Sequence, residues 1–177
     1  MSLLANVAEH EIQYTEIMAL SSMLYFGFLR ISEALQLQGN FFNFTQEKIS
    51  FLIPSSKTDQ FRLGQWVHIC YSNKNYSPFF WIPKLQEIHN FIGKPKKLFE
   101  KSSTTYRKCL TKFLISAEIN PKKFSTHSFR KGAAHAAAIA GVADCHIKAM
   151  GRWKSNAYMV YTDVQMNEAA ETISFLI

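Results

Sequence analysis

The chain has no apolar run approaching the roughly eighteen residues needed to cross a bilayer. Its longest is bracketed by Glu16 and Arg30. Its N-terminus has neither the basic flank nor the cleavage site of a secretory signal. Cysteine is scarce: Cys70, Cys109 and Cys145 are widely spaced, odd in number and form no CxxC pair. That pattern argues against a disulfide scaffold or a zinc ribbon and reads as reduced, buried thiols. No acidic cluster stands at magnesium- or zinc-binding spacing. Internal repeats, low-complexity tracts and long linkers are also missing. These absences describe a soluble intracellular protein, nuclear if its host is eukaryotic, with no membrane partner, metal or cofactor.

What the chain does have is ordinary apolar content and an excess of positive charge. Its 177 residues are 47% hydrophobic and 19% charged, enough for a real core and too apolar for disorder. Lys and Arg number 20 against 13 Asp and Glu, a net charge of +7. A polyanion is therefore a plausible partner, nucleic acid before acidic membrane.

Apolar residues recur at helical spacing over 11–28 (Ile12, Ile17, Leu20, Met23, Leu24), with Gly27 weakening the end. A short helix is expected from Ser32, a good N-cap, and 40–45 reads as loop. Lys48–Ile53 and Gln65–Cys70 alternate as strands, joined by a turn containing Pro54, two serines and Asp59. Lys57 falls near the tip of that hairpin. Residues 73–77 read as a polar loop, and helices follow over 82–91, 104–117, 126–140 and 142–150. Gly141 is a C-cap candidate and Gly151 a breaker. Ser155 can cap a last helical stretch carrying Tyr158 and Tyr161, and 167–177 reads as an apolar tail helix. The pattern gives a mainly helical α+β protein with one small antiparallel sheet.

Each polar candidate has a bland explanation when taken alone. Arg30 can pair locally with Glu33 on a helix surface for a few tenths of a kcal/mol. Lys57 can be a solvated turn charge. Trp153 and Tyr161 can be packing aromatics. His127 and Arg130 stand three apart, on one face of a helix rich in alanine, where small neighbours let a backbone or ligand come close.

Their order is more telling than any one of them. F-G-F-L-R-I-S-E-A-L carries Arg30 and Glu33, the hairpin carries Lys57, H-S-F-R-K-G-A-A-H carries His127 and Arg130, and M-G-R-W-K-S-N-A-Y-M-V-Y-T carries Trp153 and Tyr161. This succession resembles the catalytic domain of the tyrosine recombinases, the phage-integrase family, from about Tyr14 to Asp163. Many members have G-H where this chain has G-R-W. The R-W-K-S form looks most like the eukaryotic mobile-element branch, the Crypton and DIRS-type recombinases.

The resemblance implies the family's catalytic-domain fold over 1–177 and a site-specific recombinase that breaks and rejoins DNA, integrating or excising a mobile element. Tyr161 would be the nucleophile, forming a 3′-phosphotyrosine link. Arg30 and Arg130 would hold the phosphate, since guanidiniums offer paired donors and stay protonated. Lys57 would protonate the departing 5′ oxygen, His127 would manage the nucleophile's proton, and Trp153 would offer its indole N–H and wall the pocket. Glu33 would orient an arginine. Lys94, Lys96, Lys97, Lys101, Arg107, Lys108, Lys122 and Lys123 would line double-stranded DNA. The tail 164–177 would dock on a neighbouring protomer and couple their sites. Two departures stand out. Trp153 precedes Tyr161 by eight residues where nine is commoner for histidine, leaving Tyr158 as a rival nucleophile. The N-terminal helical domain that members usually carry is expected to be absent, which would weaken nonspecific affinity. A catalytically silent or domesticated DNA-binding module of the same fold, and a type IB topoisomerase-like relaxase, remain open alternatives.

Overall fold

The computed structural model describes residues 1–9, 14–54 and 64–162. Lys57, Asp163 and the tail 164–177, with the expectations placed on them, lie outside the described residues. Helices α1 (Ser2–Glu9) and α2 (Thr15–Phe26) lead into a four-residue helix α3 (Ile31–Ala34). Three strands follow, β1 (Phe42–Phe44), β2 (Lys48–Ile53) and β3 (Gln65–Cys70), as an antiparallel sheet in that order. Helices α4 (Pro78–His89), α5 (Ser103–Ser116), α6 (Thr126–Ile139), α7 (Asp144–Met150) and α8 (Met159–Thr162) complete the described chain.

Helix α2 is the hub. Nine of the ten residues from Thr15 to Leu24 are buried, Glu16 being the exception, and α2 packs on both α4 and α6. Each fully buried Leu, Ile or Met contributes about 1.5–3 kcal/mol. A main core joins α2 to the sheet, α4 and α5 through Leu20, Phe51, Trp81 and Phe113. A smaller cluster holds Phe28, Ala133, Ala134, Ile147 and Tyr158, with Trp153 and Tyr161 packed on it. The alanines of α6 serve there as close-packing residues, which leaves room for aromatic rings from the last two elements.

Four helices stop in the same way. The residue after the cap adopts positive φ, and the next N–H reaches back five residues, satisfying an orphan carbonyl. In α2 the residue is Phe28 (φ 49), in α5 Glu118 (φ 58), in α6 Gly141 (φ 74) and in α7 Arg152 (φ 57). The closing bonds are Leu29 N–H to Leu24 O at 3.1 Å and Trp153 N–H to Lys148 O at 3.1 Å in the first and last of these. Gly27 and Gly151, expected as the stops, each stand one place too early. The left-handed residues at these two ends are Phe28 and Arg152, where a side chain costs about 1–2 kcal/mol.

Several expectations need correcting. Residues 40–45 are not all loop: Phe42–Phe44 forms β1, pairing Phe42 with Phe51, whose rings stack at 5.9 Å. Three residues are too few to show period two. Helix α3 starts at Ile31 with Arg30, not Ser32, at its cap, because the Glu33 carboxylate accepts Arg30's own backbone N–H at 2.9 Å. Helix α4 starts at Pro78, four residues early, with proline in the first-turn position where its missing N–H is harmless. Helix α1 had no sequence signal long enough to notice, though Leu4, Ala5 and Ala8 are buried. The three thiols are free, but Cys70 and Cys145 are exposed and Cys109 is half-buried, since Cys70 and Cys145 sit on outward faces of β3 and α7.

Candidate active site

The corners after α2 and α7 face each other, and arginines bridge them. Arg130, in the second turn of α6, is fully buried. Its Nη1 donates to Phe28 O at 2.6 Å and its Nη2 to Gly151 O. Carbonyls at helix C-termini carry the negative end of the macrodipole, so they suit a buried cation. The guanidinium also stacks over Trp153, 4.5 Å from the ring centre. Gly151 is required by space, since a Cβ there would lie 1.6 Å from the Trp153 ring. Burial, then Arg30 beside it, lowers the Arg130 pKa to about 10, which still leaves it charged at neutral pH.

Glu33 is the negative centre of the group. Arg30 Nη1 donates to its Oε1 at 2.6 Å, Arg152 Nη2 to its Oε2 at 3.1 Å, and Arg130 Nη1 lies 3.6 Å from that same oxygen. Burial pushes the carboxyl upward, but Arg152, the Arg30 N–H and Arg130 outweigh it and hold the pKa below 4.5. Arg30 keeps its side chain 29% exposed. It is the arginine of the group with an open face.

On the other side of Arg130 lies a histidine–tyrosine pair. His127, at the exposed start of α6, places Nε2 3.4 Å from the Tyr161 hydroxyl on α8. Burial, followed by Lys131, Arg130 and Arg30, holds the imidazole pKa below 6.5. Neutral imidazole is the form that can accept a proton. Trp153 lies against Tyr161 with ring centres 6.2 Å apart, and Lys131 stands over the Tyr161 ring at 5.1 Å.

The two tyrosines do not share an environment. Tyr158 ends the 3-10 turn Asn156–Tyr158 and is buried against Trp153. Burial, Asp144 and Cys145 raise its phenol above the usual 10. Tyr161, one turn on, is half-exposed beside His127. Both rings meet Trp153, at 5.8 and 6.2 Å between centres, but it is the Tyr161 hydroxyl that stands beside His127.

The structure thus brings Arg30, Glu33, His127, Arg130, Trp153 and Tyr161 together. It adds two residues that the sequence did not single out. Arg152 stands nine residues before Tyr161, yet its left-handed backbone turns the side chain toward Glu33 and leaves Trp153 beside Tyr161. Lys131 follows His127 by one helical turn, a spacing that was legible but unremarkable among many lysines. The proposed DNA-lining cations are uneven. Lys94, Lys97, Arg107, Lys108, Lys122 and Lys123 are exposed. Lys96 is engaged with His89 O at 2.8 Å and Glu100 at 3.4 Å. Lys101 is paired with Glu16, whose other oxygen accepts from the Tyr106 hydroxyl.

Among the described residues no group of three His, Cys, Asp or Glu could hold a metal ion, and no helix is long and apolar enough to cross a membrane. No protein-family model matches the chain, and no curated protein matches it in sequence. Its fold, mainly helical with a small antiparallel sheet, is that of the tyrosine recombinase catalytic domain. Similar solved structures include XerH site-specific recombinase bound to palindromic difH substrate in a post-cleavage complex, at TM-score 0.72 and 16% identity over 98% of this chain and 50% of that one. XerA recombinase matches at 0.71 and 16%, covering 98% and 61%. The Tn1549 transposon integrase in complex with circular intermediate DNA matches at 0.61 and 15%, covering 97% and 61%. The chain therefore spans about half the length of the first and about three fifths of the other two.

Proposed function

We propose that the chain is the catalytic domain of a site-specific DNA recombinase that cuts and rejoins strands through a 3′-phosphotyrosine intermediate. The observation that carries this is the pairing of the Tyr161 hydroxyl with His127 next to three guanidiniums gathered on one carboxylate. The Tyr161 oxygen attacks phosphorus, its proton passes to His127, and a Tyr–O–P bond forms. The P–O5′ bond breaks, and the 5′ oxygen leaves as a hydroxyl with a proton from Lys57, the family's general acid. Attack by a 5′ hydroxyl reverses the step with no net consumption of energy. Negative charge growing on the non-bridging oxygens meets guanidinium donors, the term that usually supplies most of the rate. No step calls on a metal ion.

Double-stranded DNA is the expected partner, supported by the net charge of +7 and by the circular intermediate DNA named in the Tn1549 integrase complex. The G-R-W-K-S form supports a mobile-element enzyme of the Crypton and DIRS type, which would act in a nucleus. Pairing between protomers through 164–177 belongs to the same proposal.

A second reading has one observation in its favour. Arg130 is wholly buried and two of its nitrogens already donate to carbonyls, as in a DNA-binding module that no longer cuts. The test is covalent capture of nicked duplexes from candidate element ends, in EDTA, on a denaturing gel. The recombinase forms an adduct that Tyr161→Phe abolishes. Binding with no adduct selects the silent module, and sequence-independent relaxation of supercoiled plasmid selects a topoisomerase-like relaxase.

A further inference from the structure

Arg152 is an odd residue to find where it is. It occupies a left-handed position, φ 57, that glycine fills most easily, and its side chain is 6% exposed. From there Nη1 donates to Gly27 O at 3.1 Å and Met150 O at 2.9 Å, and Nη2 to Phe28 O at 2.8 Å and Glu33 Oε2 at 3.1 Å. Three of those acceptors lie more than a hundred residues away in sequence. The backbone strain at Arg152 is matched at Phe28, the other corner the same guanidinium grips. Strain of this sort persists only where the surroundings over-determine it, and it gathers at functional sites.

Charge makes the case sharper. Arg30, Arg130 and Arg152 surround the single carboxylate of Glu33, so the cluster carries a surplus of positive charge. As pure scaffolding this is a poor choice, because buried ion clusters stabilise less than apolar packing of the same volume. The surplus is matched only when an anion arrives. We propose that Arg152 is a positioning residue of this centre: it locks Glu33 against the Gly27–Phe28 corner, and Glu33 in turn sets Arg30 and Arg130 toward the scissile phosphate. The proposal rests on the recombinase reading above. Arg152 itself needs no contact with DNA.

The test uses Arg152→Gly, which suits the backbone, and Arg152→Lys, which keeps the charge without the fork. Adduct formation is measured on nicked duplexes carrying either the natural phosphodiester or a methylphosphonate, which lacks the non-bridging charge. Arg152→Gly is expected to bind duplex within about threefold of wild type and to form adduct about a hundredfold more slowly on the phosphodiester. On the methylphosphonate its defect shrinks to about tenfold or less, because there is less charge for the arginines to meet. Arg152→Lys falls between. Equal rates for Arg152→Gly and wild type, or equal defects on both substrates, overturn the proposal. Thermal unfolding of wild type, Arg152→Gly, Glu33→Gln and the double variant keeps it separable from the recombinase reading. Strictly additive shifts refute the Arg152–Glu33 lock whatever the gel shows. If the shifts are coupled but wild type binds duplex without forming adduct, the recombinase reading fails and Arg152's catalytic positioning fails with it.

Discussion

The Arg130 guanidinium lies 4.5 Å from the centre of the Trp153 ring while its edge reaches the carbonyls of Phe28 and Gly151. One side chain thus joins α6 to the ends of two other helices, and Gly151 is what lets the indole lie across it. Gly151→Ala would put a methyl inside the Trp153 ring. It is expected to cost about 1–3 kcal/mol in denaturant unfolding, as overpacking does. Adduct formation should fall further than stability does. An unchanged unfolding midpoint would contradict this packing.

Glu33 links stability to pH. Its folded pKa is depressed, so its contribution is fully present above the unfolded value near 4.5 and is lost as pH falls through the lower folded value. Wild type should keep a flat melting temperature near neutrality and lose stability progressively below about pH 4.5. Glu33→Gln, which strands buried guanidiniums, should lose about 3–5 kcal/mol at neutral pH and show a shallower acid limb. A variant that tracks wild type down to pH 3 would show that Glu33 carries no such load.

Much of this site was legible in sequence, and the reasons differ by residue. Arg30, His127, Arg130 and Tyr161 fall within short motifs whose order survives, so each could be named without coordinates. Arg152 could not, because its direction depends on a left-handed backbone at a non-glycine residue, which no spacing rule anticipates. The choice between Tyr158 and Tyr161 also needed geometry. Their spacing puts both on one face, where both rings meet Trp153, and the burial of Tyr158 against a Tyr161 hydroxyl beside His127 comes from packing that spacing does not give. Among the fold elements, β1 and α1 were too short for periodicity, whereas β2, β3, α5 and α6 carried full patterns.

In the proposed mechanism His127 would set the acid limb of the reaction. Burial and the neighbouring cations hold its pKa below 6.5, so the neutral, proton-accepting form persists as pH falls past that value. The adduct rate should stay level from neutrality through pH 6.5 and drop only below it. His127→Gln should cost about 10²–10⁴-fold in rate. An inflection above pH 6.5 would assign the limb to another group.

The basic surface is testable by salt. Lys122→Ala with Lys123→Ala, both exposed beside the start of α6, should lower the slope of log binding constant against log salt by about two. Lys101→Ala should leave the slope unchanged, because Lys101 is tied to Glu16. Binding measured by fluorescence anisotropy from low to moderate salt distinguishes the two.

The most direct measurement is to locate the DNA linkage. Adduct formed in EDTA would be digested with protease and nuclease, and the nucleotide-bearing peptide sequenced by tandem mass spectrometry. The pairing of Tyr161 with His127 at 3.4 Å, against a buried Tyr158, calls for a 3′-phosphate on Tyr161. A phosphate on Tyr158, or on no tyrosine at all, would contradict the account at its centre.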